Sequence, residues 1–228
     1  MAAEGLGTCF LVLAVVGSGV MATRLSPGDV GLQLLENSLA TGAVLVAMIL
    51  ALQPVSAAFN PVVTLVEAVL RMVRPVHVLP IIVAQFTGGI CGAVLANLMF
   101  ALPAVSIASH ERTSGGLWLG EAVATGGLVL VVFGSVRSGR TDTVAYAVGS
   151  YIVAAYWFTS STSFANPAVT VARMFSDTFA GIAPGSVPVF ILSQLAGGAG
   201  GLLAVLFLWP NRTRSVTAAA PLPHVHRR

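Results

Sequence analysis

The stretch "FNPVVTLVEAVL" at residues 59–70 comes back in altered form as "FANPAVTVARMF" at residues 164–175, with Asn166 standing 106 residues after Asn60. The residue before a proline is pushed out of the helical region, so Asn-Pro ordinarily marks a turn. In both copies, however, Val-Thr and a short apolar run follow, as Val63-Thr64 and Val169-Thr170. Asparagine is a favoured N-cap, and proline suits the first helical position because its missing N–H has no intrahelical partner to lose. Asn60-Pro61 and Asn166-Pro167 therefore read as helix starts. Each helix is short: about ten residues span about 15 Å, half of a bilayer core of about 30 Å.

The rest of the chain is built for lipid. Of its 228 residues 56% are hydrophobic and 8% charged, and the mean hydropathy is +0.91. A soluble domain carries about 25% charged residues, so this chain lacks the polar surface to cover itself in water. All 11 basic residues are arginine, the net charge is only +3, and no basic stripe with interleaved aromatics points to nucleic acid. Cys9 and Cys91 lie far apart in apolar segments without histidine neighbours and read as small buried packing residues, not metal ligands or a disulfide. Nothing calls for a metal or a cofactor. Six stretches suffice for a transmembrane helix, near 4–23, 32–52, 79–101, 117–136, 143–160 and 187–209. The first reads as a span and not a cleaved signal, because Glu4 stands where a signal would be basic.

Arginines set the orientation. Arg71, Arg74, Arg137, Arg140, Arg212, Arg214, Arg227 and Arg228 flank alternate connections and the tail, against Arg24, Arg112 and Arg173 on the other side. By the positive-inside rule both termini are cytoplasmic. The tail, 211–228, reads as disordered; its His224 and His226 read as solvated residues, with metal binding as the alternative.

The chain also repeats. "EGLGTCFLVLAVVGS" at 4–18 aligns without gaps on "EAVATGGLVLVVFGS" at 121–135, and "QFTGGICG" at 85–92 on "QLAGGAGG" at 194–201. The Asn-Pro segments are the third match, in the same order. This divides the chain into a first repeat, 1–105, with its half-helix at 60–70, and a second, 106–210, with its half-helix at 166–176. Three spans per half is an odd number, so the second repeat inserts upside down, as in many transport proteins. The shared glycines fit close helix packing in lipid.

Two half-helices entering from opposite faces bring their N-termini together near the bilayer centre. Irregular backbone is tolerated there only inside protein or beside water. Each N-terminus carries about half a positive charge, so the meeting point disfavours cations while asparagine amides and loop carbonyls offer hydrogen bonds. A small neutral solute can pass. The plainer alternative is that each Asn-Pro only caps a re-entrant turn; two matched copies in an inverted repeat favour the pore.

On these residues the chain resembles the major intrinsic protein family, the aquaporins and aquaglyceroporins, over nearly its whole length. That family has two Asn-Pro-Ala boxes on half-helices; here the first reads Asn60-Pro61-Val62 and the second Asn166-Pro167-Ala168. The resemblance implies an all-α membrane protein with six transmembrane helices, two re-entrant half-helices and an inverted 3+3 repeat. It implies that Glu4 and Glu121 accept hydrogen bonds from the half-helix loops as buttresses. It also implies a passive, non-enzymatic channel, a homotetramer with one pore per subunit, and a bacterial inner membrane.

Most of the family places an arginine directly after the second box; this chain has Val169. By resemblance the other filter positions fall on or near Thr41, on Ala154 or Ala155, and on Ser163. These are small neutral side chains and imply a wide filter. Open-filter relatives pass glycerol-like polyols and neutral arsenite hydroxide, and "NPAVTVARMFSDTFAGIAP" resembles a subset linked to bacterial arsenic resistance. Arg173 follows Asn166 by seven residues, as Glu67 follows Asn60, and each has an opposite charge four residues on, Asp177 and Arg71. Two i,i+4 ion pairs are the plain reading; the sharper one puts Arg173 at the outer mouth in place of the lost charge. The expected solutes are arsenite, glycerol and water; a water-selective pore and an ion-coupled transporter are the alternatives. An integral membrane enzyme would need an acid–base or metal cluster that the four histidines do not make. His77, beside Arg74 and Pro75, reads as an interfacial residue, with pH gating as the alternative.

Overall fold

The computed structural model describes residues 1–210. They form eight α-helices: α1 (Ala2–Leu25), α2 (Val30–Leu52), α3 (Pro61–Val69), α4 (Pro75–Met99), α5 (Gly115–Arg137), α6 (Val144–Phe158), α7 (Pro167–Ala172) and α8 (Val187–Leu208). The tail with His224 and His226 lies outside the described residues. α1, α2, α4, α5 and the α8 segment are long and apolar enough to cross a membrane. Large aliphatic and aromatic side chains such as Leu79, Leu119 and Phe207 point outward. That is the arrangement lipid stabilises and water would not.

Two elements are shorter than their sequence patterns suggested. The span expected at 143–160 is the 15-residue α6, about 22 Å at 1.5 Å per residue. It stops where Thr159 opens a run of hydroxyl residues, and Thr159 Oγ1 turns back to donate to Ala155 O at 2.6 Å. Such side chains compete with the backbone for its own partners. The half-helix expected at 166–176 is α-helical only to Ala172 and continues as a 3₁₀ turn over Arg173–Phe175. There Met174 O and Phe175 O accept from Ala108 N and Ser106 N of the loop before α5, so that loop takes up carbonyls left open at the helix end.

The two halves pack alike. α1 lies along α4 and α5 along α8, while α2 crosses to α6 and joins the halves. Gly88 is what lets α4 approach α1, because a Cβ there would stand 2.1 Å from Gly5 O. Gly197 does the same for α8, at 2.1 Å from Ala122 O. Small residues of this kind are the usual means of close helix contact in lipid. One cysteine expectation is corrected: Cys91 is exposed and Cys9 half-buried, and both are free thiols. The packing face of α4 is the Gly88–Gly92 stripe, and one residue of rotation carries Cys91 off it.

The candidate pore between two half-helices

Asn60 and Asn166 each cap one half-helix and reach across to the other. Asn60 Oδ1 accepts from Val62 N at 2.9 Å, and Asn166 Oδ1 from Ala168 N at 3.0 Å and Val169 N at 3.3 Å. Asn60 Nδ2 donates to Ala165 O at 2.8 Å, and Asn166 Nδ2 to Phe59 O at 2.7 Å. The two helix starts therefore meet and are cross-tied. Phe59 and Ala165 sit in the left-handed region, each with φ of 49°. That costs on the order of 1 kcal/mol for a residue with a side chain, and the cross-ties hold the strained backbone in place.

Behind each loop stands a fully buried carboxylate. Glu4 accepts from Ala58 N (2.9 Å), Phe59 N (2.8 Å), Gln85 Nε2 (2.8 Å) and Ser56 Oγ. Glu121 accepts from Phe164 N and Ala165 N, both at 2.9 Å, and from Gln194 Nε2. Gln85 also donates to Thr64 Oγ1 at 3.0 Å and Gln194 to Thr170 Oγ1 at 2.8 Å, tying each carboxylate to a half-helix. A buried charge is tolerable when such donors surround it. The sequence signal for these glutamines and threonines is the recurrence of Gln-x-x-Gly-Gly and Val-Thr in both halves.

A cavity of about 410 Å³ runs past the two asparagines. At one end it is lined by Gln53, Val73 and Thr141, on the face that carries Arg71, Arg74 and Arg140. Its middle is mostly aliphatic, with Leu45, Val63, Leu128 and Val148 among the walls. At the other end stand Thr41, Tyr156, Ser163, Val169 and Arg173. Here α6 presents Ile152 and Tyr156 to the cavity; Ala154 is exposed on the outer side, and Ala155 is buried away from the lumen. One helix position is about 100°, so Ala154 and Tyr156 cannot share a face. Tyr156 OH and Thr41 Oγ1 share a hydrogen bond at 3.2 Å.

Arg173 is 3% exposed. Its Nε donates to Ala180 O, and its guanidinium lies 3.5 Å from the centroid of Phe164. Arg112 approaches the same ring at 5.1 Å and donates through Nε to Gly181 O at 3.1 Å. Asp177 Oδ1 instead accepts from Ser109 N at 2.9 Å and Ser109 Oγ at 3.0 Å, which holds that carboxyl below its ordinary range. The i,i+4 pair expected between Arg173 and Asp177 does not form, because the 3₁₀ turn ends the α-helical register between them. Glu67 and Arg71 likewise part: the helix closes at Val69, Arg71 has φ of 59°, and Glu67 lines the cavity.

Residues 1–163 match the sequence pattern of the Major intrinsic protein family. The chain belongs to that family. It is 48% identical over 196 residues to "Aquaglyceroporin AqpS" of Rhizobium meliloti (strain 1021), covering 86% of this chain and 83% of that one. It is 32% identical over 152 residues to "Aquaporin Z" of Photorhabdus laumondii, covering 62% and 65%. The solved structure of the aquaglyceroporin from Plasmodium falciparum shares its fold, with a TM-score of 0.67 at 21% identity over 90% of this chain and 92% of that one. The protein is thus an integral membrane channel for small neutral solutes and not an enzyme.

Several other positions singled out in the sequence of this channel lie off the lumen. Pro61, Val62, Pro167 and Ala168 are buried in the half-helices without lining the cavity. The Val62 departure is absorbed by α8, where a Cβ on Gly198 would stand 2.3 Å from Val62 Cγ1. His77 is exposed in the first turn of α4 and away from the cavity. His110, in the loop before α5, has its pKa lowered by burial and then by Arg112 and Arg173.

Proposed function

We propose that the channel passes glycerol and the neutral hydroxide of trivalent arsenic, with water, by passive flow. The observation that carries this is the continuous cavity running past both Asn60 and Asn166. Around it the half-helix N-termini oppose cations, while the aliphatic middle suits the carbon side of a polyol. In this reading Thr41, Ser163, Val169 and Tyr156 form the filter, and Arg173 supplies the charge that Val169 does not. The relative named as an aquaglyceroporin supports the polyol. Arginine placement supports an orientation with the Arg71–Arg74 face cytoplasmic, and the bacterial relatives support a bacterial inner membrane. In this reading the channel assembles as a homotetramer, and a mass in detergent of one chain instead of four would refute that assembly.

The test is solute-by-solute flux in proteoliposomes. Native protein is expected to speed glycerol and arsenite at least tenfold over empty liposomes, a barrier lowered by about 1.4 kcal/mol. Val169→Arg is expected to narrow the filter and cut both while sparing water. Fast water flux with no glycerol or arsenite flux would overturn the reading and favour a water-selective pore, which the bulk of Tyr156 supports. Uphill uptake on a proton or sodium gradient would favour a coupled transporter. Proton current should stay at the empty-liposome level.

A further inference from the structure

Two buried arginines at one mouth, without a carboxylate between them, hold more positive charge than the filter role given to Arg173 explains. Arg112 is 9% exposed and Arg173 3%. Their Nε groups are spent on Gly181 O and Ala180 O, and both guanidinium groups lie against Phe164. Among the described residues no carboxylate bonds to either. Glu121 is the nearby buried acid, and Phe164 N, Ala165 N and Gln194 Nε2 already donate to it. Asp177 and Glu111 are exposed, so solvent and salt screen them far more than they screen the buried cations. Desolvating a guanidinium is costly unless something compensates it.

The compensation can come from the lumen. Arg173 lines the cavity, and so does Ser163, next in the chain to the ring on which Arg173 stacks. Ser163 is 3% exposed, and its Oγ is buried without a hydrogen-bond partner. An unpartnered hydroxyl in that position is satisfied by whatever occupies the channel. A guanidinium presents a planar fork of donors that matches an oxyanion. We propose that Arg173 and Ser163, with Arg112 adding positive field through Phe164, form a site for one small monovalent oxyanion of carboxylate or sulfonate type at this mouth.

The proposal rests on Arg173 lying at the mouth of the conduit. Its consequence is that a small oxyanion occupies the path of neutral solutes and competes with them. The Arg112–Arg173 pair also concentrates the conjugate bases of weak oxyacids at the mouth, as a charged cleft does for its counter-ions.

The probe is methanesulfonate, which stays a monoanion at every working pH and does not cross lipid. In proteoliposomes, added on the side of Arg173, it should reduce glycerol flux saturably relative to chloride at equal ionic strength. Inhibition is expressed against each protein's own uninhibited flux. Ser163→Ala should weaken it several-fold, and Arg173→Gln about tenfold or more, the loss of one charge-assisted contact. Arg112→Gln should weaken it less than Arg173→Gln and should not abolish it. If Arg173→Gln does not fold, Ser163→Ala carries the comparison. A thermal-unfolding series in detergent reads the same site without flux: native protein should gain stability from methanesulfonate over chloride, and Ser163→Ala should gain less. Normal glycerol flux with no inhibition beyond chloride and no stabilisation would overturn the site while leaving the channel reading intact. Stabilisation without any glycerol flux would overturn glycerol conduction and keep the site. Equal inhibition of native protein, Ser163→Ala and Arg173→Gln would place the anion elsewhere and overturn the proposal.

Discussion

The first and second half-helices sit in the same frame and end in opposite charge. Glu4, Gln85 and Thr64 in one half do what Glu121, Gln194 and Thr170 do in the other, except that Glu4 takes a fourth donor, Ser56 Oγ. Seven residues after each asparagine the likeness ends, with Glu67 lining the cavity near one mouth and Arg173 near the other. Duplication conserves what holds the backbone, because a loop at mid-membrane depth has no water to rescue a lost hydrogen bond. The mouths face solvent and solute, so they are free to differ. The halves also exchange volume within the frame: Gly7 makes room for Phe59, where the second half has Ala124 and Ala165.

The sharpest break of this comparison is to remove one buttress. Glu121→Ala strands three donors and Glu4→Ala four; each buried donor left unsatisfied costs about 1–3 kcal/mol. Both variants should lose folded protein in detergent thermal unfolding, and a Glu121→Ala protein as stable as native would end the equivalence. Next comes Gly7→Ala, whose Cβ would stand 2.0 Å from Phe59 Cε1. Overpacking of that kind is expected to cost about 3 kcal/mol. The matched position already carries Ala124, so Ala124→Gly should cost far less; equal losses would refute the volume exchange.

Val62→Ala makes the two boxes alike. It removes two methyl groups packed over Gly198, at an expected cost of about 2 kcal/mol. Glycerol flux per folded channel should hold, because Val62 does not line the cavity; a changed solute ranking would show that the box residue reaches the lumen. The smallest effect concerns the second half alone. Burial, Arg112 and Arg173 lower the His110 pKa, so the unfolded chain takes up its proton first and stability falls as pH drops through the ordinary histidine range. His110→Gln should flatten a slight loss of melting temperature between pH 8 and pH 5. A melting temperature that rises over that interval in native protein and not in the variant would reverse the sign.

Much of the frame was legible because the forces behind it are local or repeated. Asn-Pro followed by an apolar run encodes a capped helix start in the residues themselves, and Glu4 and Glu121 stand out because acids are costly in lipid. The mouth was harder to read. Ala154 and Ala155 were expected to face the lumen and Tyr156 does, because a shift of one position on α6 turns a side chain through about 100°, and loop length does not set that rotation. The ion pairs read from i,i+4 spacing failed at both half-helices because each stops short of the fourth residue, at Val69 and at Ala172.

By itself the sequence determined that the chain lives in lipid, that its halves are inverted copies, and that two capped half-helices begin at Asn60 and Asn166. Hydropathy, proline stereochemistry and the parity of three spans suffice for that. Only the tertiary structure decided which side chains share a wall: Tyr156 with Thr41, Arg173 with Arg112 around Phe164, and an unpartnered Ser163 beside them. Those meetings join residues up to 115 positions apart. They depend on helix rotation and on where each helix stops, which packing across the whole molecule sets and no local pattern records.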